Sequence, residues 1–100
     1  MTKIKKYVEN INEELSDAQE YIEKALWYKA RGDQNRYTKY KEMSAQELNH
    51  AMIIHDMAVQ DIDALDAVYP ELPLKMVEKW NAAHEQYVEK AAWIRQMHQM

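Results

Sequence analysis

The sequence contains no cysteine, a single glycine and only two prolines among its 100 residues. Without cysteine, the chain has neither a disulfide framework nor a thiolate that could act as a metal ligand or a nucleophile. Glycine and proline, which interrupt helices, are rare. Ala, Glu, Lys, Gln and Met, which lose little side-chain freedom in a helix, are common. We therefore expect an all-α protein.

Positive charge and long apolar runs are also scarce. Thirteen Lys and Arg residues stand against seventeen Asp and Glu residues, which gives a formal charge of -4, so nucleic acid is not an expected partner. No apolar run is long enough to span a bilayer, and no apolar segment follows the first lysines as it would in a signal peptide. We expect a cytoplasmic protein with no membrane partner.

The length of the chain predicts one small domain, residues 1–100, that buries only a modest fraction of its surface, so self-association is expected. Apolar residues at alternating intervals of three and four predict helices over about 2–31, 33–68 and 72–98. The inward positions predicted for the first helix are Ile4, Val8, Ile11, Leu15, Ala18, Ile22 and Ala25. Those predicted for the second helix are Tyr37, Tyr40, Ser44, Glu47, Ala51, Ile54, Ala58, Asp61, Leu65 and Val68.

The predicted helix ends carry suitable residues. Gly32 suits a left-handed C-terminal cap and Asp33 suits the N-terminal cap of the next helix, so the first two helices should form an antiparallel hairpin. Pro70 and Pro73 should end the second helix, because a residue before proline is disfavoured in the α conformation.

The first and third predicted helices share a sequence segment. YIEKALWYK at 21–29 and YVEKAAWIR at 87–95 match at Tyr, Glu, Lys, Ala and Trp. This similarity indicates a duplicated helical hairpin whose second copy lacks its return helix. The alternative is that two unrelated helices use the same good helix formers.

Glu14 and Glu47 are the inward-facing acids of the predicted hairpin. If the chain turns at Gly32, the two residues lie within about one helical turn of each other. Two carboxylates in an apolar interior repel each other and lose hydration, so they need a proton or a cation. His50 shares a helix face with Glu47, because residues three apart are neighbours. Carboxylates with one neutral imidazole suit iron or manganese.

These residues resemble one half of the di-iron site of the ferritin-like superfamily. Glu14 is followed seven positions later by Tyr21, and Glu47 and His50 lie in the motif ELNH, 33 residues beyond Glu14. The spacing is similar to that in bacterioferritin-like and rubrerythrin-like proteins, and the resemblance covers roughly residues 4–68. It implies a ferritin-like four-helix bundle with a dinuclear iron centre bound by Glu14, Glu47 and His50, with Tyr21 nearby as a further catalytic residue. It also implies ferroxidase activity, in which Fe(II) is oxidised by O2 or peroxide and then stored or passed on.

A second half-site is missing from the sequence, because the segment repeat puts Trp80 where Glu14 should recur and no second Glu-x-x-His follows. A homodimer or higher homo-oligomer could complete the site by pairing two hairpins, as in the encapsulated ferritins, which the chain resembles in its shortness. Alternatively, His84 of the third helix joins Glu14, Glu47 and His50 in a mononuclear site.

Simpler interpretations stand beside these. His50 could bond to Glu47 without a metal, His84 could be structural, and His55 and His98 are most simply surface or interface residues. Met43 and Met57 are interpreted as core-filling side chains. The functional alternative from another class is a non-enzymatic helical interaction or assembly protein, of prophage origin, whose metal site has degenerated.

Overall fold

The computed structural model describes residues 2–68 and 74–100, and within these ranges the chain is helical with no β-strand. Three helices follow one another: α1 at Thr2–Ala30, α2 at Gln34–Val68 and α3 at Leu74–His98. The prediction of an all-α chain with three helices is confirmed. Pro70, Pro73 and the predicted start of the third helix near residue 72 lie outside the described residues.

The turn between α1 and α2 uses the two capping residues that the sequence predicts. Gly32 has a φ of 77°, in the left-handed region. Its N–H donates to the Lys29 carbonyl at 3.1 Å and the Asp33 N–H donates to the Tyr28 carbonyl at 3.0 Å, which together form a Schellman motif. The Asp33 side chain then accepts the N–H of Arg36 at 3.0 Å and caps α2. One short turn therefore ends α1 and begins α2.

The three helices form an elongated bundle with principal extents of 55 × 19 × 17 Å. α1 and α2 are antiparallel, and α3 runs in the direction of α1. At one end of the bundle the Lys29 side chain donates to the carbonyl of Met100. Along α2, His84 of α3 meets His55 and His98 of α3 meets Ser44, which is the pairing expected for antiparallel helices.

The core lies along the α1–α2 hairpin and is closed on one side by α3. Alanines occupy several of its most buried positions, which lets the helix backbones approach closely. Of the predicted inward residues of α1, all are buried except Val8, which is half-buried. The predicted α2 positions up to residue 65 are buried or half-buried, while the side chain at 68 lies outside the described ones. The residues of the main cluster are Ile11, Leu15, Ala18, Ile22, Ala25, Tyr37, Leu48, Ala51, Tyr87, Ala91 and Ile94.

A polar contact joins all three helices near the end of α3. The buried Ser44 hydroxyl donates to the Ala18 carbonyl at 2.6 Å and lies 2.9 Å from Nε2 of His98. Since the hydroxyl has only one proton, His98 must donate its Nε2–H to the serine oxygen. Burial lowers the pKa of His98, which favours this neutral form. His98, expected at the surface or an interface, is therefore a half-buried anchor for α3.

The repeated segment presents a similar but not identical face in α1 and α3. Ala25 and its counterpart Ala91 are both buried, but Ile22 is buried while its counterpart Val88 is half exposed. In α3 the buried position is the neighbouring Tyr87. The two copies therefore share a buried alanine and an exposed tryptophan, at Trp27 and Trp93, and differ in the burial of Ile22 and Val88.

Met43 and Met57 are not core residues in this chain, contrary to our expectation. Their side chains are 38% and 43% exposed. They lie one heptad before and after His50, on the side of α2 that neither α1 nor α3 covers fully. Their apolar surface is therefore available to another molecule.

Candidate metal centre

Glu14, Glu47 and His50 meet near the middle of the α1–α2 hairpin. The α2 residues that contact α3 include Ser44, Met52 and His55. At about 100° per residue, His50 points well away from that side of α2. The cluster therefore opens on the side of the hairpin that α3 leaves uncovered.

The three side chains each offer one ligand atom, and these atoms lie within 4.8 Å of one another. Nδ1 of His50 is 3.7 Å from Oε2 of Glu14 and 3.9 Å from Oε1 of Glu47. The Glu14 and Glu47 side chains are 27% and 24% exposed, whereas His50 is 54% exposed. Within residues 2–68 and 74–100, no other three acidic or histidine side chains converge in this way.

The electrostatics of the cluster are unfavourable for two charged carboxylates. Oε2 of Glu14 is buried and has no hydrogen-bond partner among the described residues. The pKa of Glu14 is raised to about 7, first because a proton can be shared with Glu47, then because of burial and the negative charge of Glu47. His50 acts in the opposite direction and lowers this pKa. The hairpin therefore holds a negative charge that a proton or a cation would stabilise.

Tyr21 lies on the same edge of the hairpin but not within the cluster. It is two turns beyond Glu14, about 10 Å along the helix axis. Its ring centroid lies 6.2 Å from that of Tyr40, which stacks in turn on Tyr28 at 5.6 Å. The structure thus shows Tyr21 in an aromatic row next to the cluster, and a direct role in chemistry stays a prediction.

His84 does not join the carboxylates, so the mononuclear set of Glu14, Glu47, His50 and His84 is not formed. Nδ1 of His84 lies 2.8 Å from Nε2 of His55, at the contact between α3 and α2. The His55 side chain, expected at the surface or at an interface, is only 12% exposed and lies against α3. This pair could not be predicted from the sequence, because it depends on which side of the hairpin α3 covers.

The donor set suits a hard or borderline divalent cation. Two carboxylates and one imidazole supply oxygen and nitrogen ligands and no sulfur, which is the chemistry that iron and manganese accept. Oε2 of Glu14, which has no hydrogen-bond partner among the described residues, lies beside Nδ1 of His50 and can act as a ligand. Three protein ligands leave further coordination positions on the open side of the cluster. The fold and the site together are those of a three-helix protein with a carboxylate–histidine cluster.

No protein-family profile, curated protein or solved structure matches the chain. The ferritin-like assignment therefore stays a prediction, and it rests on the residues of the cluster and on Tyr21. None of the described helices has a stretch long and apolar enough to cross a membrane.

Proposed function

We propose that the chain is a ferritin-like metal-binding protein that binds iron through Glu14, Glu47 and His50 and acts as a ferroxidase. The buried, partnerless oxygen of Glu14 beside a second carboxylate is the observation that carries the proposal. An isolated pair of this kind costs folding free energy, and a divalent cation offsets that cost.

The residues have distinct parts in this proposal. Glu14 and Glu47 bind the cation from α1 and α2, and the proton held on Glu14 near neutral pH is released when the cation enters. His50 binds through a neutral ring nitrogen, and its greater exposure lets the ring rotate toward the ion. Iron is the substrate, and its Fe(II) form would be oxidised to Fe(III) with O2 or peroxide as electron acceptor.

A second copy of the chain would complete a dinuclear site. One chain supplies two carboxylates and one imidazole, and a twofold axis through the open side of the cluster would double this set to the ligands of a di-iron centre. Met43 and Met57 flank His50 on that side and expose apolar surface, which a four-helix bundle made of two hairpins would bury. The dimer and the dinuclear site are thus parts of one proposal.

The test is iron binding and oxidation by the purified protein after metal removal. With Fe(II) added in air, the wild type should bind iron and oxidise it faster than buffer alone. Glu47→Ala and His50→Ala should lose both properties, whereas Glu13→Ala, an exposed acid beside Glu14, should retain them. Oxidation at the buffer rate with no bound iron would contradict the proposal. Competition with Mn²⁺ determines the preferred metal.

The exposed apolar side chains favour a second candidate, a non-enzymatic helical interaction or assembly protein. The two functions differ in how association depends on metal. A shared site predicts that metal stabilises the dimer, because the ion binds only the associated form tightly. An interaction protein would associate equally well with and without metal. Its Glu14→Gln and Glu47→Gln variants would associate as well as the wild type does.

A further inference from the structure

His55 and His84 form a second histidine feature on the opposite side of α2 from His50. Nε2 of His55 and Nδ1 of His84 are 2.8 Å apart, and the ring centroids are 5.0 Å apart with an angle of 29° between the planes. A centroid separation of this size places the two rings nearly edge to edge, with the facing nitrogens directed at each other. The contact joins α2 to α3 directly.

The hydrogen bond requires one N–H and one lone pair at the facing nitrogens, so Nε2 of His55 and Nδ1 of His84 share one proton. The Asp56 carboxylate lies 3.3 Å from Nδ1 of His55, which favours a proton on that nitrogen. The lone pair of His55 is then on Nε2, aimed at His84. In metal sites, a carboxylate often accepts a hydrogen bond from the histidine nitrogen that does not bind the metal, and this hydrogen bond orients the ring.

The surroundings of the pair are aromatic and apolar. The ring of Tyr87 stacks on His55 with centroids 4.4 Å apart, and Trp80 lies 5.7 Å from the same ring. The residues of α1 that line this space are Val8, Ile11 and Asn12, none of which is titratable. Asp56 is thus the charged group that faces the pair from α2, and no lysine or arginine lines the space among the described residues.

We propose that His55 and His84 form a second metal site, which binds one Zn²⁺ or Cu²⁺ ion and links α2 to α3. The ion takes the place of the shared proton. At a metal–nitrogen distance of about 2.0–2.1 Å, two tetrahedral ligands lie roughly 3.3 Å apart, so the nitrogens must separate by about 0.5 Å. Small rotations of the two side chains provide this movement. The His84 proton moves to Nε2, the other nitrogen of that ring.

The two clusters of the molecule therefore differ in the metals they favour. Imidazole nitrogen is the preferred donor for zinc and copper, whereas carboxylate oxygens with one imidazole suit iron and manganese. The His55–His84 site does not depend on the function proposed for Glu14 and Glu47, since it shares no residue with that cluster. Asn12 of α1 also lines the space beside the two histidines and carries a side-chain amide.

The test uses the full chain with Glu14→Gln and Glu47→Gln, so that the carboxylate cluster no longer binds a divalent ion. Zn²⁺ is titrated into this parent by calorimetry, with thermal unfolding measured in parallel. We expect one site per chain and a higher melting temperature with Zn²⁺. Adding His55→Gln or His84→Gln should weaken binding by at least about tenfold. His98→Gln, which changes the other histidine of α3, should leave Zn²⁺ affinity unchanged.

Two results would overturn the proposal: no Zn²⁺ binding by the parent, or unchanged affinity after His84→Gln. If the histidine variants fail to fold, the folded parent is loaded with Cu²⁺ and studied by electron paramagnetic resonance. Hyperfine splitting from two imidazole nitrogens supports the site, and splitting from one or none refutes it. Absence of iron oxidation by the wild type, together with intact Zn²⁺ binding by the parent, would contradict only the function proposed for the carboxylate cluster.

Discussion

Replacing Glu14 with glutamine should stabilise the metal-free protein at alkaline pH. The pKa of Glu14 rises from 4.5 in its ordinary state to about 7 in the folded chain, so the folded protein binds the proton more tightly than the unfolded chain does. Above pH 7 the carboxylate is charged in both states, and folding bears the full cost of that charge. At about 1.36 kcal/mol per pKa unit this cost is slightly above 3 kcal/mol, and partial exposure of the side chain reduces it to roughly 1–3 kcal/mol.

The sign of the pH dependence follows from the same shift. As the pH falls from about 7 to 4.5, the folded wild type takes up its proton and the cost disappears. Glutamine carries no charge at any pH, so Glu14→Gln should exceed the wild type in stability at pH 8 and match it near pH 4.5. The pKa values of Asp33 and Asp61 are lowered from 3.8 by hydrogen bonds, so they affect stability only in more acidic solution.

The assay is urea unfolding at a series of pH values in the presence of a chelator. With a slope of about 1–3 kcal/mol per molar urea, the midpoint at pH 8 should move up by roughly 1 M. Glu13→Gln provides the matched control, because it removes one negative charge from an exposed neighbouring position of α1. A difference between Glu14→Gln and wild type that does not change with pH would refute the reasoning. So would a loss of stability at pH 8.

Two further predictions concern the core and the open side of the hairpin. Ser44→Ala should destabilise the fold by about 1–3 kcal/mol, because it leaves the Ala18 carbonyl and His98 without their partner, and thermal unfolding measures the loss. Thr38→Ala, which removes an exposed hydroxyl, should cost much less, and equal losses would contradict this account. Met57→Lys should leave the unfolding of the single chain within about 0.5 kcal/mol of wild type but abolish metal-dependent association, as measured by sedimentation. Undiminished association of that variant would show that this side is not the interface.

The approach of Glu14 to Glu47 could be predicted because local features determine it. Both residues belong to long helices with regular apolar spacing, and Gly32 specifies where the chain turns. Once the turn is fixed, the rise per residue of an α-helix determines which residues of α1 and α2 lie level with one another. The relation between these two helices is therefore encoded in nearby sequence.

The placement of α3 could not be predicted in the same way. Its register against α2 and the side of the hairpin that it covers depend on packing among many residues, and these choices decide that His84 meets His55 rather than Glu14. The exposure of Met43 and Met57 was also not predicted. Met43 has the size and polarity of a core residue, and its sequence position does not distinguish a buried side chain from one that the fold leaves exposed.

The small side chains between α1 and α2 determine how closely Glu14 and Glu47 approach each other. Ala18 lies one turn beyond Glu14, Ala51 lies one turn beyond Glu47, and both are fully buried. The space around the Ala18 and Ala51 methyl groups is filled. A bulkier residue at either position would push the helix axes apart and increase the distance between the carboxyl groups. The separation of the Glu14 and Glu47 carboxyl groups is therefore controlled by residues that carry no charge.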